Sequence, residues 1–288
     1  MNEAAAIHSQ GPFFNILLAT DGSPFSLGAE RLAAALARTS GGKVTAMQAA
    51  LFDPSLESLG MGIELLQEQE NITWQSLCGV QARMEREEGC SCDLLIKRGQ
   101  TPHEEIMKAA DEIGADLVVM GRRGRRGLAR LMLGDSTARV VAQSHRAVLV
   151  VPKDALPWNN STLLLATDGS ACSERASQEA VRLAKRENLP LQVISVVESK
   201  NDTTSFKVVS NAVEGVVARA RSEGVAVEGM VLEGHPIADV IADAAAACKA
   251  GLVIGGSHGR TGLGKVFIGS VMERLLGRVS CPVLVYKQ

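Results

Sequence analysis

Short apolar runs alternate along the chain with longer segments whose apolar residues recur at helical spacing. In the C-terminal half, residues 163–167 form the kind of compact apolar run that a buried strand shows. Residues 173–187 follow, with Ala176, Ala180, Leu183 and Ala184 on one helical face. The pattern then predicts a strand at 191–197, a helix at 204–223, a strand at 225–232 and a helix at 238–249. A strand at 252–255, a helix at 270–277 and a strand at 283–286 complete the series. The N-terminal half reads likewise, with strands at 16–20, 44–50, 93–97, 117–120 and 148–151. Strict alternation of strand and helix predicts an α/β chain with parallel sheets and right-handed crossovers.

The two halves are copies. Residues 16–23 read ILLATDGS and residues 163–170 read LLLATDGS, an offset of 147. Farther on, Gly121-Arg-Arg-Gly124 matches Gly256-Ser-His-Gly259, and the offset has fallen to 135. The first copy therefore carries twelve extra residues, placed around 52–86. The stretch 152–161, with Pro152, Pro157 and a polar cluster, reads as a linker. Two domains are expected, at 13–153 and 161–288, which suits 288 residues at roughly 100–200 per domain.

Composition narrows the class. Apolar residues are 46%, charged residues 22% and aromatics only 3%, so the core must rest on Ala, Val, Leu and Ile. A net charge of −2 gives no global field toward nucleic acid or a membrane surface. Residues 1–12 include Glu3 and do not read as a signal peptide, and Asp239, Asp243 and Lys249 break the longest apolar stretch. A cytoplasmic protein is expected. The six cysteines include no CxxC and read as reduced thiols. Cys90 and Cys92 have no third ligand nearby, so no structural metal is expected.

Two loops in each copy carry polar information. In the second copy one is Thr167-Asp168-Gly169-Ser170, after the first strand. The other is Gly256-Ser257-His258-Gly259 after the fourth strand, then nine residues, then Gly269-Ser270 opening a helix. Open parallel sheets bind ligands outside the carboxyl ends of their strands, so neighbouring first and fourth strands would bring these loops together. Glycines let backbone N–H groups reach phosphate oxygens, and a helix start favours an anion. Asp168 repels phosphate, which assigns it to the base or ribose end. Each loop is also ordinary turn and cap chemistry, so the loops alone leave a purely structural reading open. His258, between glycines, is expected to make a backbone contact with its ring exposed.

These residues resemble the universal stress protein family, whose pattern is G-x-x-G, nine residues, then G-S or G-T, with an Asp after the first strand. Residues 256–270 fit it in full, and 282–285 give the P-V-L-V ending. The resemblance spans nearly the whole chain as a tandem member. It implies two Rossmann-like, adenine-nucleotide-hydrolase-like domains. Each would be a five-stranded parallel sheet of order 3-2-1-4-5 with helices on both faces. It also implies dimers that pair their last strands, a pairing that a tandem chain could make internally. It further implies ATP, with Mg, as a bound regulatory ligand in a stress response. Carried onto this sequence, the nucleotide site is Asp168, Val196 beside the adenine, Gly256, Ser257, His258, Gly259, Gly269, Ser270 and Val271.

The weaker counterpart in the first copy comprises Asp21, Ala49, Gly121, Gly124, Gly134 and Ser136, with Asp135 where the second copy has Ser270. An Asp there is expected to cap the helix and to repel phosphate. At about 5 Å and an effective dielectric of about 20, each like-charge pair costs about 3 kcal/mol, roughly a hundredfold in affinity. Arg122, Arg123, Arg125 and Arg126 push the other way, as phosphate ligands or partners of Asp135. The first site is expected to be weak or empty, with Asp21 a structural cap. No aromatics interleave the arginine run, which argues against a nucleic-acid patch. No nucleophile–base–orienter set is visible, and Lys265 in the spacer reads as a mobile surface lysine. Slow ATP hydrolysis is the most that is expected. A weak ATPase and a nucleotide-free interaction module are the alternative readings.

Overall fold

The computed structural model describes residues 13–52, 62–123, 133–158, 161–259 and 267–287. Contacts divide the chain into two units, Met1–Gly127 with Val151–Asp154, and Leu128–Val150 with Ala155–Gln288.

In the first unit, β1 (Asn15–Ala19) leads through a 3-10 turn (Pro24–Ser26) into α1 (Leu27–Ser40). Then come β2 (Lys43–Leu51), α2 (Gly62–Glu88), β3 (Asp93–Gly99), α3 (Pro102–Glu112) and β4 (Leu117–Gly121). β1 pairs in parallel with β2 and β4, and β2 pairs in parallel with β3. The central strands are apolar nearly throughout because helices cover the sheet: β4 is buried at all five positions. α1 starts after a Ser23-capped turn with Pro24 and stops at Gly41, whose φ of 65° favours glycine. Arg83 of α2 makes a two-pronged ion pair with the buried Glu30 of α1, at 2.9 and 3.1 Å. α2 runs for 27 residues, so part of the extra length in the first copy is helical.

The second unit contains α4 (Asp135–Gln143), most of β5 (Ala147–Val151), β6 (Thr162–Ala166), α5 (Ala171–Glu187) and β7 (Leu191–Val197). It continues with α6 (Thr203–Ser222), β8 (Val227–Glu233), α7 (Ile237–Ala247), β9 (Ala250–Gly256), α8 (Ser270–Arg278) and β10 (Val283–Tyr286). β6 pairs with β7 and β9, β7 with β8, and β9 with β10, all in parallel. In repeat numbering this is the order 3-2-1-4-5. α6, the counterpart of α2, has 20 residues.

Residues 128–150 belong to the first repeat by sequence and to the second unit by contacts. There β5 pairs antiparallel with β10, Val148 opposite Val285, Leu149 opposite Leu284 and Val150 opposite Val283. All six side chains are apolar and buried. The last strands of the two repeats thus pair within one chain.

Element limits differ from the pattern by a residue or two, for local reasons. The strand expected from 225 begins at Val227, because the Val225 N–H closes the end of α6 on Ala220 O at 2.9 Å, with Gly224 at φ 80°. The helix expected to reach 249 stops at Ala247, and Lys249 turns to φ 51°.

Candidate functional site

β6 and β9 are neighbours, so the loops at their carboxyl ends converge. The Asp168 carboxylate accepts the Ser170 N–H at 3.0 Å, and this turn places Ser170 at the head of α5. The Ser170 hydroxyl accepts the Ser173 N–H at 3.3 Å and donates to His258 O at 3.4 Å. One serine therefore caps a helix and links the two loops. Glycine is needed where backbones meet. A Cβ at 256 would lie 2.9 Å from Cys172 and 3.0 Å from Ser173 N. A Cβ at 259 would lie 2.7 Å from Asp168 Oδ2, and one at 269 would lie 3.1 Å from Ser257 O.

A cavity of about 430 Å³ opens between these loops. Asp168, Val196, Gly256, Ser257, His258 and Gly259 line it, and Gly269, Ser270 and Val271 line it at the start of α8. All nine positions expected in the second copy thus surround one space. Its apolar wall was not anticipated: Ile194, Ile237, Ile241, Met272 and Leu275. Ile237 and Ile241 are four apart on α7, and Met272 and Leu275 three apart on α8, spacing that sequence reasoning reads as ordinary core. Ser195, also on the lining, has a buried hydroxyl without a hydrogen-bond partner.

The cavity faces the start of α8. Gly269 is the N-cap, and having no side chain it makes no cap hydrogen bond, so Ser270 begins the helix. The first-turn N–H groups lack intrahelical partners, and the helix dipole adds partial positive charge. Among the described residues, the lining contains one carboxylate, Asp168, and no lysine or arginine. Also among the described residues, no group of three or more His, Cys, Asp or Glu is placed to hold a metal. Lys265 and the rest of 260–266 lie outside the described residues.

His258 makes the expected backbone contact and one more. The residue is half-buried, and its ring has a partner at each nitrogen. Nδ1 lies 3.0 Å from Ser257 Oγ, and Nε2 bonds to the Phe267 carbonyl. Sequence pattern does not show the second partner because Phe267 lies near the far end of the nine-residue spacer, where local pattern carries no contact information.

The first copy's candidates do not fall in one unit. Asp21, Ala49 and Gly121 are in the first unit, Gly134 and Ser136 in the second, and Gly124 lies outside the described residues. Asp21 Oδ1 accepts the Ser23 N–H and the Ser26 hydroxyl, each at 3.0 Å. Gly134 is the N-cap of α4. Asp135 does not act as the helix cap: it takes the first helical position and pairs with Arg139 at 3.0 Å. Arg139 lies four residues on, a spacing at which the helix itself brings opposite charges together, while Arg125 and Arg126 lie outside the described residues.

A family model described as the universal stress protein family matches residues 12–152 and again 159–287. Among curated relatives, universal stress protein Slr1230 of Synechocystis is 26% identical over 292 residues, covering 95% of this chain and 99% of that protein. Universal stress protein Rv2005c of Mycobacterium tuberculosis is 30% identical over 203 residues, covering 65% of this chain and 66% of that protein. The crystal structure of a universal stress protein from Archaeoglobus fulgidus shares the fold. Its TM-score is 0.73 at 22% identity, covering 95% of this chain and 98% of that one. With the family model matched twice along its length, the chain belongs to the universal stress protein family as a tandem two-copy member.

Proposed function

We propose that the second repeat, taken as 161–288, binds ATP as a regulatory ligand, and that the first repeat, 13–153, binds it weakly or not at all. The observation that carries this reading is the uncapped start of α8 facing a cavity with an apolar wall. A flat base suits the wall formed by Ile194, Val196, Ile237 and Ile241. On this reading Asp168, beside Gly259, accepts ribose hydroxyls, and the phosphates go to Gly256 and the first turn of α8. Mg would travel with the phosphates.

Efficient hydrolysis would need a paired-carboxylate metal site or a lysine on the phosphates. Among the described residues the lining holds one carboxylate, Asp168, and Lys265 lies outside them; the reading is of a regulatory binder. The free cysteines fit a reducing cytoplasm. Pairing of β5 with β10 inside one chain favours an internal pseudo-dimer over a homodimer.

The test is thermal unfolding of protein stripped of nucleotide, with and without ATP-Mg, alongside phosphate release. A ligand at about a hundred times its Kd adds about 2.7 kcal/mol to the state it binds. The melting temperature should rise by several degrees, with little phosphate released. Ser270→Asp should abolish the rise by copying the first repeat's Asp135. No shift in the unaltered protein would leave the interaction-module reading in front, and rapid phosphate release would favour the ATPase.

A further inference from the structure

We infer that His258 is a positioning residue whose imidazole braces the phosphate end of this site. It ties the arm leaving β9, residues 256–259, to the arm entering α8, residues 267–269. The inference rests on the nucleotide reading above and names what holds that site in shape.

The carbonyl partner fixes the role of one ring nitrogen. A carbonyl oxygen only accepts, so the bond to Phe267 O requires a hydrogen on Nε2. A neutral ring then presents Nδ1 as an acceptor, and the Ser257 hydroxyl at 3.0 Å is its donor. Ser257 is fully buried, and the imidazole gives its hydroxyl a partner there. Ser257 is itself anchored, its N–H donating to Tyr286 O at 2.8 Å, at the end of β10. A second tie runs parallel, from the Gly269 N–H to Ser257 O at 3.0 Å. A third reaches the β6 loop, from the Ser170 hydroxyl to His258 O.

Phe267 is 78% exposed. Its carbonyl contact to His258 therefore acts together with the Gly269 N–H to Ser257 O bond in holding the backbone just before α8. With the brace in place, the first-turn N–H groups of α8 stand at a set distance from Gly256 and Gly259. A phosphate chain then finds its donors already arranged, and pre-arranged donors raise affinity by removing the ordering cost. The first repeat has Arg122 and Arg123 at the positions of Ser257 and His258, so it has no imidazole for this brace.

The test uses the full chain stripped of nucleotide and compares ATP with adenosine, which lacks the phosphates. His258→Phe keeps a flat ring without hydrogen bonds, and His258→Gln restores a side-chain N–H toward Phe267 O. His258→Phe should weaken ATP about tenfold or more and adenosine severalfold less, and His258→Gln should recover most of the loss. Equal loss for both ligands, no loss for ATP, or a glutamine variant no better than phenylalanine would overturn the brace. Long-range 15N–1H spectra of the unaltered protein supply a readout without any nucleotide. One fixed Nε2–H tautomer is expected, and a ring averaging between tautomers would contradict the brace even if ATP binds. Failure of the unaltered protein to bind ATP would sink the nucleotide reading, while these spectra would still decide the brace.

Discussion

Glycines 256 and 259 share a motif but face different neighbours. A methyl group at 256 would press on Cys172 and on Ser173 N, which move only if α5 moves. A methyl group at 259 would press on Asp168 Oδ2, the tip of a side chain that can swing away. Gly256→Ala should therefore cost about 1–3 kcal/mol of stability in urea denaturation. Gly259→Ala should leave stability within about 0.5 kcal/mol and weaken ATP binding, by turning the Asp168 carboxylate from its seat. Identical behaviour of the two variants would contradict this distinction. The glycines, Asp168 and Ser270 were legible because their chemistry shows in residue type and spacing. Ile237, Ile241, Met272 and Leu275 were not, since an apolar residue at helical spacing looks the same over a core and over a cavity. The ring contacts of His258 depend on a partner nine residues away, which no local pattern encodes.

At the scale of elements, α7 and α8 form the apolar wall together with β7, and a charged clasp joins the two helices. Asp239 of α7 accepts two hydrogen bonds from Arg274 of α8, each at 2.9 Å, and Arg278 lies 3.5 Å away. The hydrogen bond from Arg274, followed by the charges of Arg274 and Arg278, holds the Asp239 carboxyl below its usual range. A depressed carboxyl stabilises the fold at pH above its unfolded value, about 3.9. That contribution disappears as pH falls through the lower folded value. Asp239→Asn should thus melt below the unaltered protein at pH 7, with the gap closing at pH values under about 4. A gap that stays constant down to pH 2 would show that the clasp is not the cause. Helix and strand identities were legible from periodicity, whereas their ends were set by backbone closures such as Val225 onto Ala220. The length of α2 was not legible, because an insertion can be located by offset without revealing whether it lengthens a helix or a loop.

For the molecule as a whole, the repeat was plain in the sequence, but the division of contacts was not. Apolar strands such as β5 carry no mark of which neighbour they will join. The structure assigns residues 128–150 to the second unit, with β5 on β10. The two copies also differ in function on the present account. The second has Ser270 at an open helix start, while the first has Asp135, an anion paired with Arg139 at the matching place. Calorimetric titration of the nucleotide-stripped full chain with ATP-Mg tests that asymmetry most directly. One site per chain, lost in the Gly269→Asp/Ser270→Asp double variant, is the predicted result. Two sites per chain, or one that survives the double variant, would contradict it.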